Sequence, residues 1–150
     1  METIDIKRLG LDSIDICVDV LNQIEELGGL FNQEQIMKRL VDEPAYILVA
    51  YIQNQPVACK LAYNRYDDGA IYSWLGGVLA EHRHKNIASL LLEKLEELAI
   101  ADGFTSIRFK TQNRHRNMLH LAIQKNFNIV DFEADDDIEK SVIVFERPIR

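Results

Sequence analysis

Between Tyr72 and Gly103 the sequence passes from a buried strand, through a short polar loop, into a long amphipathic helix, and the rest of the chain is read around that succession. Ile71, Tyr72, Trp74, Leu75, Val78 and Leu79 are aromatic and aliphatic residues suited to a pleated, buried surface. Gly76-Gly77 interrupts them, as glycines do where a strand bulges or where something approaches the backbone closely. After the loop, Ile87, Leu90, Leu91, Leu95, Leu98 and Ala99 recur at helical and not strand spacing. Glu93, Lys94, Glu96 and Glu97 take the outer face, and Gly103 stands where a glycine ends a helix.

The loop itself is Glu81-His82-Arg83-His84-Lys85-Asn86. A helix N-terminus offers unpaired N–H groups and the positive end of the helix dipole, so a loop that leads into one can hold phosphate. Arg83 and Lys85 add positive charge. The plainer reading of the same residues is a solvated connection.

Val78-x-x-x-x-Arg83-x-x-Asn86-x-Ala88, followed by Ser89-Leu90-Leu91-Leu92-Glu93, resembles the acyl-CoA signature of the GCN5-related N-acetyltransferases (GNAT family). In that family the motif is Arg or Gln, two residues, Gly, one residue, then Gly or Ala, placed after a bulged strand. The resemblance implies that Arg83, His84, Lys85, Asn86, Ile87 and Ala88 cradle the CoA pyrophosphate and that Gly77, Val78 and Leu79 meet the pantetheine arm. It also implies that a backbone N–H near Val78 polarises the thioester. Two positions depart from the pattern: His84 stands where glycine is frequent, and Asn86 replaces the motif glycine. Asparagine tolerates positive φ better than most residues, which would preserve the cradle.

The chain has 150 residues, is 47% hydrophobic and 27% charged, and fits one ordinary globular domain spanning 1–150. A net charge of −7 argues against a nucleic-acid partner and suits an amine-bearing one. No apolar run approaches a membrane span and no signal-peptide pattern opens the chain, so a cytoplasmic location is expected. Cys17 and Cys59 sit in apolar patterns and read as small core residues.

Taken in order, residues 3–9 alternate as a strand. Asp12 or Ser13 caps a helix expected to run to about Leu27, and Asn32 caps a second that Pro44 closes. Strands are expected over Tyr46–Ile52 and Val57–Tyr63, joined by a turn at residues 53–56, with Tyr66-Asp67-Asp68-Gly69 turning into the central strand. Beyond Gly103 come a strand at residues 106–111, a helix over about 115–125, and a last strand pair, Phe127–Phe132 and Val142–Phe145, around an acidic turn. The resulting order, β-α-α-β-β-β-α-β-α-β-β, matches the acetyltransferase family along the whole chain. The resemblance therefore implies an α/β (α+β) fold, with a mixed central sheet of about seven strands and roughly four helices.

Acyl transfer from a CoA thioester to an amine requires deprotonation of the amine, polarisation of the carbonyl and, for the departing thiolate, a proton. Family members often supply that proton from a tyrosine in the fourth helix, but here the corresponding position is Ala122, with Asn126 in place of the glycine that precedes Phe127. Tyr72 and Ser73 on the central strand and Asn113 before the fourth helix are the candidate catalytic residues. Asn113 and Asn117 also lie near where a family asparagine contacts CoA, although His115 occupies that asparagine's usual position. Tyr72 and Trp74 share one strand face and Ser73 takes the other. Glu43 and Tyr46 are further candidates, nearer the entrance. His82, His84, His115 and His120 lack the convergence of three or four ligands that a metal site needs, so no metal is expected.

The resemblance implies an acyl-CoA-dependent N-acyltransferase, taking acetyl-CoA as donor and a primary amine of a small molecule or protein as acceptor. The alternative is a CoA-binding sensor or scaffold that kept the fold and lost catalysis. A homodimer formed through an edge strand is compatible with either.

Overall fold

The computed structural model describes residues 2–41 and 44–150; Glu43, one of the candidates above, lies outside them. The strands are β1 (Ile4–Leu9), β2 (Ala45–Ile52), β3 (Gln55–Tyr63), β4 (Ala70–Val78), β5 (Ser106–Gln112), β6 (Asn128–Glu133) and β7 (Val142–Pro148). The helices are α1 (Ile14–Asn22), α2 (Gln33–Leu40), α3 (Ile87–Ala101) and α4 (Arg116–Gln124). All seven strands join one sheet in the order β1-β2-β3-β4-β5-β7-β6. Every neighbouring pair is antiparallel except β4 and β5, which run parallel because α3 carries the chain between them. The mixed α/β architecture and its element order are those expected from the sequence.

Alternation along the strands divides the core into two layers. On one face Ile47, Val49, Cys59, Leu61 and Tyr72 pack with Ile14, Cys17, Leu21 and Ile36 of α1 and α2. On the other, Leu48, Ala50, Ile71, Ile107, Phe109 and Phe145 pack with Leu91, Leu95 and Ala99 of α3 and with Ala122 of α4. Both cysteines are buried and free, as read from the sequence.

Local chemistry sets the boundaries. The first helix stops at Asn22 and not near Leu27, because the Asn22 side chain accepts from Phe31 N (2.7 Å) and donates to Phe31 O (3.4 Å), closing the intervening loop onto the helix end. Residues 25–27 form a separate 3-10 turn that ends at Gly28, with φ of +62°. Asn32 caps α2 as expected, its Oδ1 accepting from Gln35 N at 3.1 Å. The β2–β3 hairpin turns at Gln53-Asn54, both at positive φ, so Gln-Asn does there what Asn-Gly does more often. β6 is an edge strand, opposite β1, and exposes Ile129, Val130 and Phe132.

Candidate functional site

β4 and β5 are laddered only from Ala70↔Ser106 to Ser73↔Phe109. Beyond that point β4 continues to Val78 paired with β3 alone, and β5 continues to Gln112 paired with β7 alone. The strands therefore open into a fork with Ser73 and Phe109 at its apex. A bulge initiates the divergence: Ala62 pairs with Ser73 and Leu61 with Leu75, leaving Trp74 as the extra residue. As a result Trp74 and Leu75 both pack on the α1/α2 face beside Tyr72.

The bulge thus falls at Trp74 and not at Gly76-Gly77, whose role is close approach. A Cβ on Gly76 would stand 2.8 Å from Cys59 O and 3.3 Å from Lys60 Cα, and one on Gly77 would stand 2.5 Å from Ile24 Cδ1. Leu79 N donates to Val57 O (2.9 Å), so strand alternation turns the backbone groups of Leu79 and Gly77 toward β3 and those of Val78 and Gly76 into the fork. Of the three residues expected along the pantetheine, Val78 alone presents its N–H to the opening.

The loop after β4 folds into a chain of donors. His84 lies at φ +65° and Asn86 at φ +64°, both left-handed, at the two positions where the family pattern favours glycine. Successive residues of opposite hand turn their N–H groups to one side, the geometry of an anion-binding nest. Asn86 is the N-cap of α3, yet its side chain makes no capping bond, and no acidic residue occupies the first turn. The first amide to find a backbone acceptor is Leu90 N, bonded to Asn86 O at 3.1 Å. Among the described residues the N–H groups of residues 84–89 therefore lack protein partners, at the positive end of a long helix that opens beside the fork.

The two cations of the loop are paired elsewhere. Arg83 donates from Nε to Val78 O (3.1 Å) and forms an ion pair with Glu26 of the 3-10 turn, which ties the α1–α2 connection to the end of β4. Lys85 Nζ donates to Glu2 Oε2 (2.7 Å) and lies 3.1 Å from His82 Nδ1. The Lys85 bond and charge hold the Glu2 carboxyl below its ordinary value.

The candidate catalytic side chains are divided between the two faces. Tyr72 is 4% exposed and meets Tyr63 and Tyr66 edge-on at 5.9 and 5.6 Å, while burial pushes its hydroxyl pKa up. It is a protonated phenol at neutral pH. Ser73, on the α3 face, accepts from Lys60 Nζ at 3.0 Å. Asn113 donates from Nδ2 to Ile138 O (3.3 Å), while its N–H bonds Ser141 O (2.8 Å), so it pins the β6–β7 connection. Asn117 is exposed in the first turn of α4. His115 is the N-cap of α4; burial, then Arg114, lowers its pKa, while the charge of Glu26 opposes them. Tyr46 does not stand at an entrance: it is fully buried, and its hydroxyl donates to Asp102 at the C-terminal end of α3. Ala122 is 1% exposed in the core of the α3/α4 face. No cluster of three or more potential metal ligands occurs among the described residues.

Sequence reasoning passed over Lys60. It is the one charged residue in the run Val57–Tyr63, and that isolation was the available signal. It is half-buried, and burial draws its ammonium down to about 8.

On the α1/α2 face, Phe31, Asn32, Gln35, Arg39, Trp74 and Leu75 line a groove of about 310 Å³ beside the bulge. The site thus sets a run of unpartnered loop amides beside a fork in the sheet and carries an open groove on the α1/α2 face.

A family model described as the acetyltransferase (GNAT) family matches residues 18–127, and the chain belongs to that family. Direct comparison with curated protein sequences gives no match. Among solved structures the fold is similar to Ard1 from Thermoplasma volcanium, with a TM-score of 0.83, 14% identity and 98% of each chain covered. It is equally similar in fold to the ribosomal-protein-S18-alanine N-acetyltransferase from Escherichia coli, with a TM-score of 0.83 at 11% identity, covering 98% of this chain and 94% of that one. A GNAT acetyltransferase from Elizabethkingia anophelis with acetyl-CoA bound aligns with a TM-score of 0.78 at 18% identity, covering 97% and 98%.

Proposed function

We propose that this chain, read as one domain over residues 1–150, is an N-acyltransferase that moves the acetyl group of acetyl-CoA to a primary amine. The observation that carries this reading is the run of unpartnered amides from His84 to Ser89 at the uncapped start of α3, beside a fork where β4 has lost its neighbour. A diphosphate fits the first feature, and an extended amide-bearing arm fits the second. That a family member from Elizabethkingia anophelis is described with acetyl-CoA bound supports the same donor here.

In this reading a backbone N–H turned into the fork near Val78 polarises the thioester carbonyl, and the amine approaches from the groove lined by Phe31, Arg39 and Trp74. His115, at the N-cap of α4, has its pKa lowered chiefly by burial, which suits a proton acceptor. Tyr72 and Ser73 precede the bulged Trp74, and Asn113 holds the β6–β7 connection at the end of β5. Two free buried cysteines suit a reducing, cytoplasmic setting, and the exposed edge β6 offers a surface for a homodimer.

The test is titration calorimetry with acetyl-CoA, followed by thioester turnover against a panel of amines. Saturable binding with CoA release on one acceptor class supports the enzyme. Binding without turnover on any acceptor supports a CoA-binding sensor, a reading that the apolar, buried Ala122 at the usual tyrosine position favours. No heat with acetyl-CoA defeats both.

A further inference from the structure

Lys60 stands on a largely apolar strand with no carboxylate partner among the described residues. It lies on β3 opposite Gly76, between Cys59 and Leu61, which point to the α1/α2 layer, so its own side chain takes the α3 face. From there it reaches to Ser73 of the neighbouring strand β4, the residue at the apex of the fork, and this 3.0 Å bond is the only one its ammonium makes among the described residues. An ammonium has three donors, and a buried one is ordinarily paired with a carboxylate. None of the ion pairs among the described residues includes Lys60.

The groups around it are accounted for. On its own strand the Cys59 thiol acts on it, itself held protonated by Cys17 and by burial. From β4 comes the Ser73 hydroxyl. From α3 the same face receives Leu91, Leu92 and Leu95, and from α4 Ala122. The carboxylates of α3 that form ion pairs, Glu96 and Glu97, are matched to Arg147 and Lys94. No carboxylate among the described residues is paired with this charge, and a methionine would fill the same space without the desolvation cost.

We propose that Lys60 is the proton donor to the CoA thiolate that departs when the acyl group is transferred. The proposal rests on the acyl-CoA reading above. It joins two facts that otherwise stand apart: the fourth helix supplies only Ala122 where a tyrosine hydroxyl is usual, and a cation with no carboxylate partner among the described residues reaches the fork apex from β3, the neighbour of β4. In the reaction the amine lone pair forms the new C–N bond, and the C–S bond breaks with its electron pair passing to sulfur. The Lys60 ammonium gives a proton to that sulfur and becomes a neutral amine. The proton leaving the acceptor nitrogen passes to base and solvent, from which Lys60 is recharged. An ammonium poised near pH 8 is acidic enough to donate and is mostly charged at neutral pH.

The experiment compares CoA with desulfo-CoA, which lacks only the thiol, on the full chain by calorimetry at pH 8. The wild type should bind CoA about tenfold more tightly, as a charge-assisted bond to sulfur would give. In Lys60→Met the preference should fall to about one while desulfo-CoA affinity stays put, and Lys60→Arg should keep the preference. The absorbance of the bound thiolate should titrate about one pH unit below free CoA in the wild type and lose that displacement in Lys60→Met. An unchanged preference in Lys60→Met, or an equal loss for both coenzymes, overturns the proposal. Failure of both coenzymes to bind the wild type overturns the coenzyme reading itself, and this inference with it.

Discussion

The Cα of Gly77 faces the Ile24 side chain so closely that a methyl group added there would lie 2.5 Å from Ile24 Cδ1, whereas at neighbouring Gly76 the obstacle is the backbone of β3, with Cys59 O at 2.8 Å. The contrast decides which glycine is replaceable. A side-chain tip can rotate away, but a paired strand cannot move without breaking its ladder. Gly77→Ala should cost about 1 kcal/mol and be largely restored by adding Ile24→Val. Gly76→Ala should cost about 2–3 kcal/mol, and the Ile24 change should not rescue it. Denaturant midpoints of the four variants test this; equal costs at the two glycines would mean that the β3–β4 ladder is more yielding than its register implies.

Asn86 and His84 both hold positive φ, a conformation that costs a non-glycine residue about 1 kcal/mol or more. Asn86→Gly should therefore leave stability unchanged or raise it by up to about 1 kcal/mol, and Asn86→Ala should lower it by about 1 kcal/mol. Because the same backbone turn aims the amides of the cradle, CoA affinity should follow the same order, with the alanine variant weakest. Calorimetry on the two variants checks the coupling, and tight binding by Asn86→Ala would separate the turn from the ligand.

The buried ammonium also predicts a pH dependence. The Lys60 pKa is about 8 in the folded chain and 10.5 as its ordinary value. Below pH 8 both states are charged and the folded one bears the cost of partly desolvating the ammonium. Between pH 8 and 10.5 the unfolded chain binds more protons than the folded one, so this group makes stability rise with pH. Lys60→Met should thus be more stable than the wild type by about 1–2 kcal/mol at pH 7, allowing for partial exposure and the lost Ser73 bond, with the gap closing by about pH 10.5. Urea unfolding at pH 7, 9 and 10.5 measures it. A less stable Lys60→Met at pH 7 would show that the lysine is there for the fold.

Much of this architecture was legible because the signals were local. Asn32 followed by Gln35 fixes a helix start, and the leucine spacing of Leu91, Leu95 and Leu98 admits one periodicity. The positive φ at Asn86 follows from the residue type and its place in the motif. What was hidden depends on contacts across the fold. The bulge at Trp74 arises from pairing with Leu61 and Ala62, residues far away in sequence, and an isolated strand shows only its alternation. The early end of α1 depends on Asn22 meeting the backbone of Phe31. Tyr46 reads as a polar aromatic near the cleft until its hydroxyl is found on Asp102 at the far end of α3. Lys60 has meaning only beside Ser73, and their proximity is set by the register of β3 on β4.

Arg83 supplies the last prediction, because its side chain is engaged twice before any ligand arrives. Nε holds Val78 O, one of the groups turned into the fork, and the guanidinium is paired with Glu26, whose side chain is 52% exposed. An ion pair so open to solvent contributes less than about 1 kcal/mol, so Glu26→Gln should barely change stability. Its effect should fall on the ligand: with Glu26 neutral, the guanidinium is released toward an incoming diphosphate, and CoA should bind more tightly by about threefold to tenfold, most clearly at low salt. Arg83→Glu should do the reverse, setting a carboxylate against both Glu26 and the anion and lowering affinity by at least about tenfold. If Glu26→Gln and Arg83→Glu both leave CoA affinity untouched, the cradle is made by backbone amides alone and Arg83 serves only to fasten the α1–α2 connection to the end of β4.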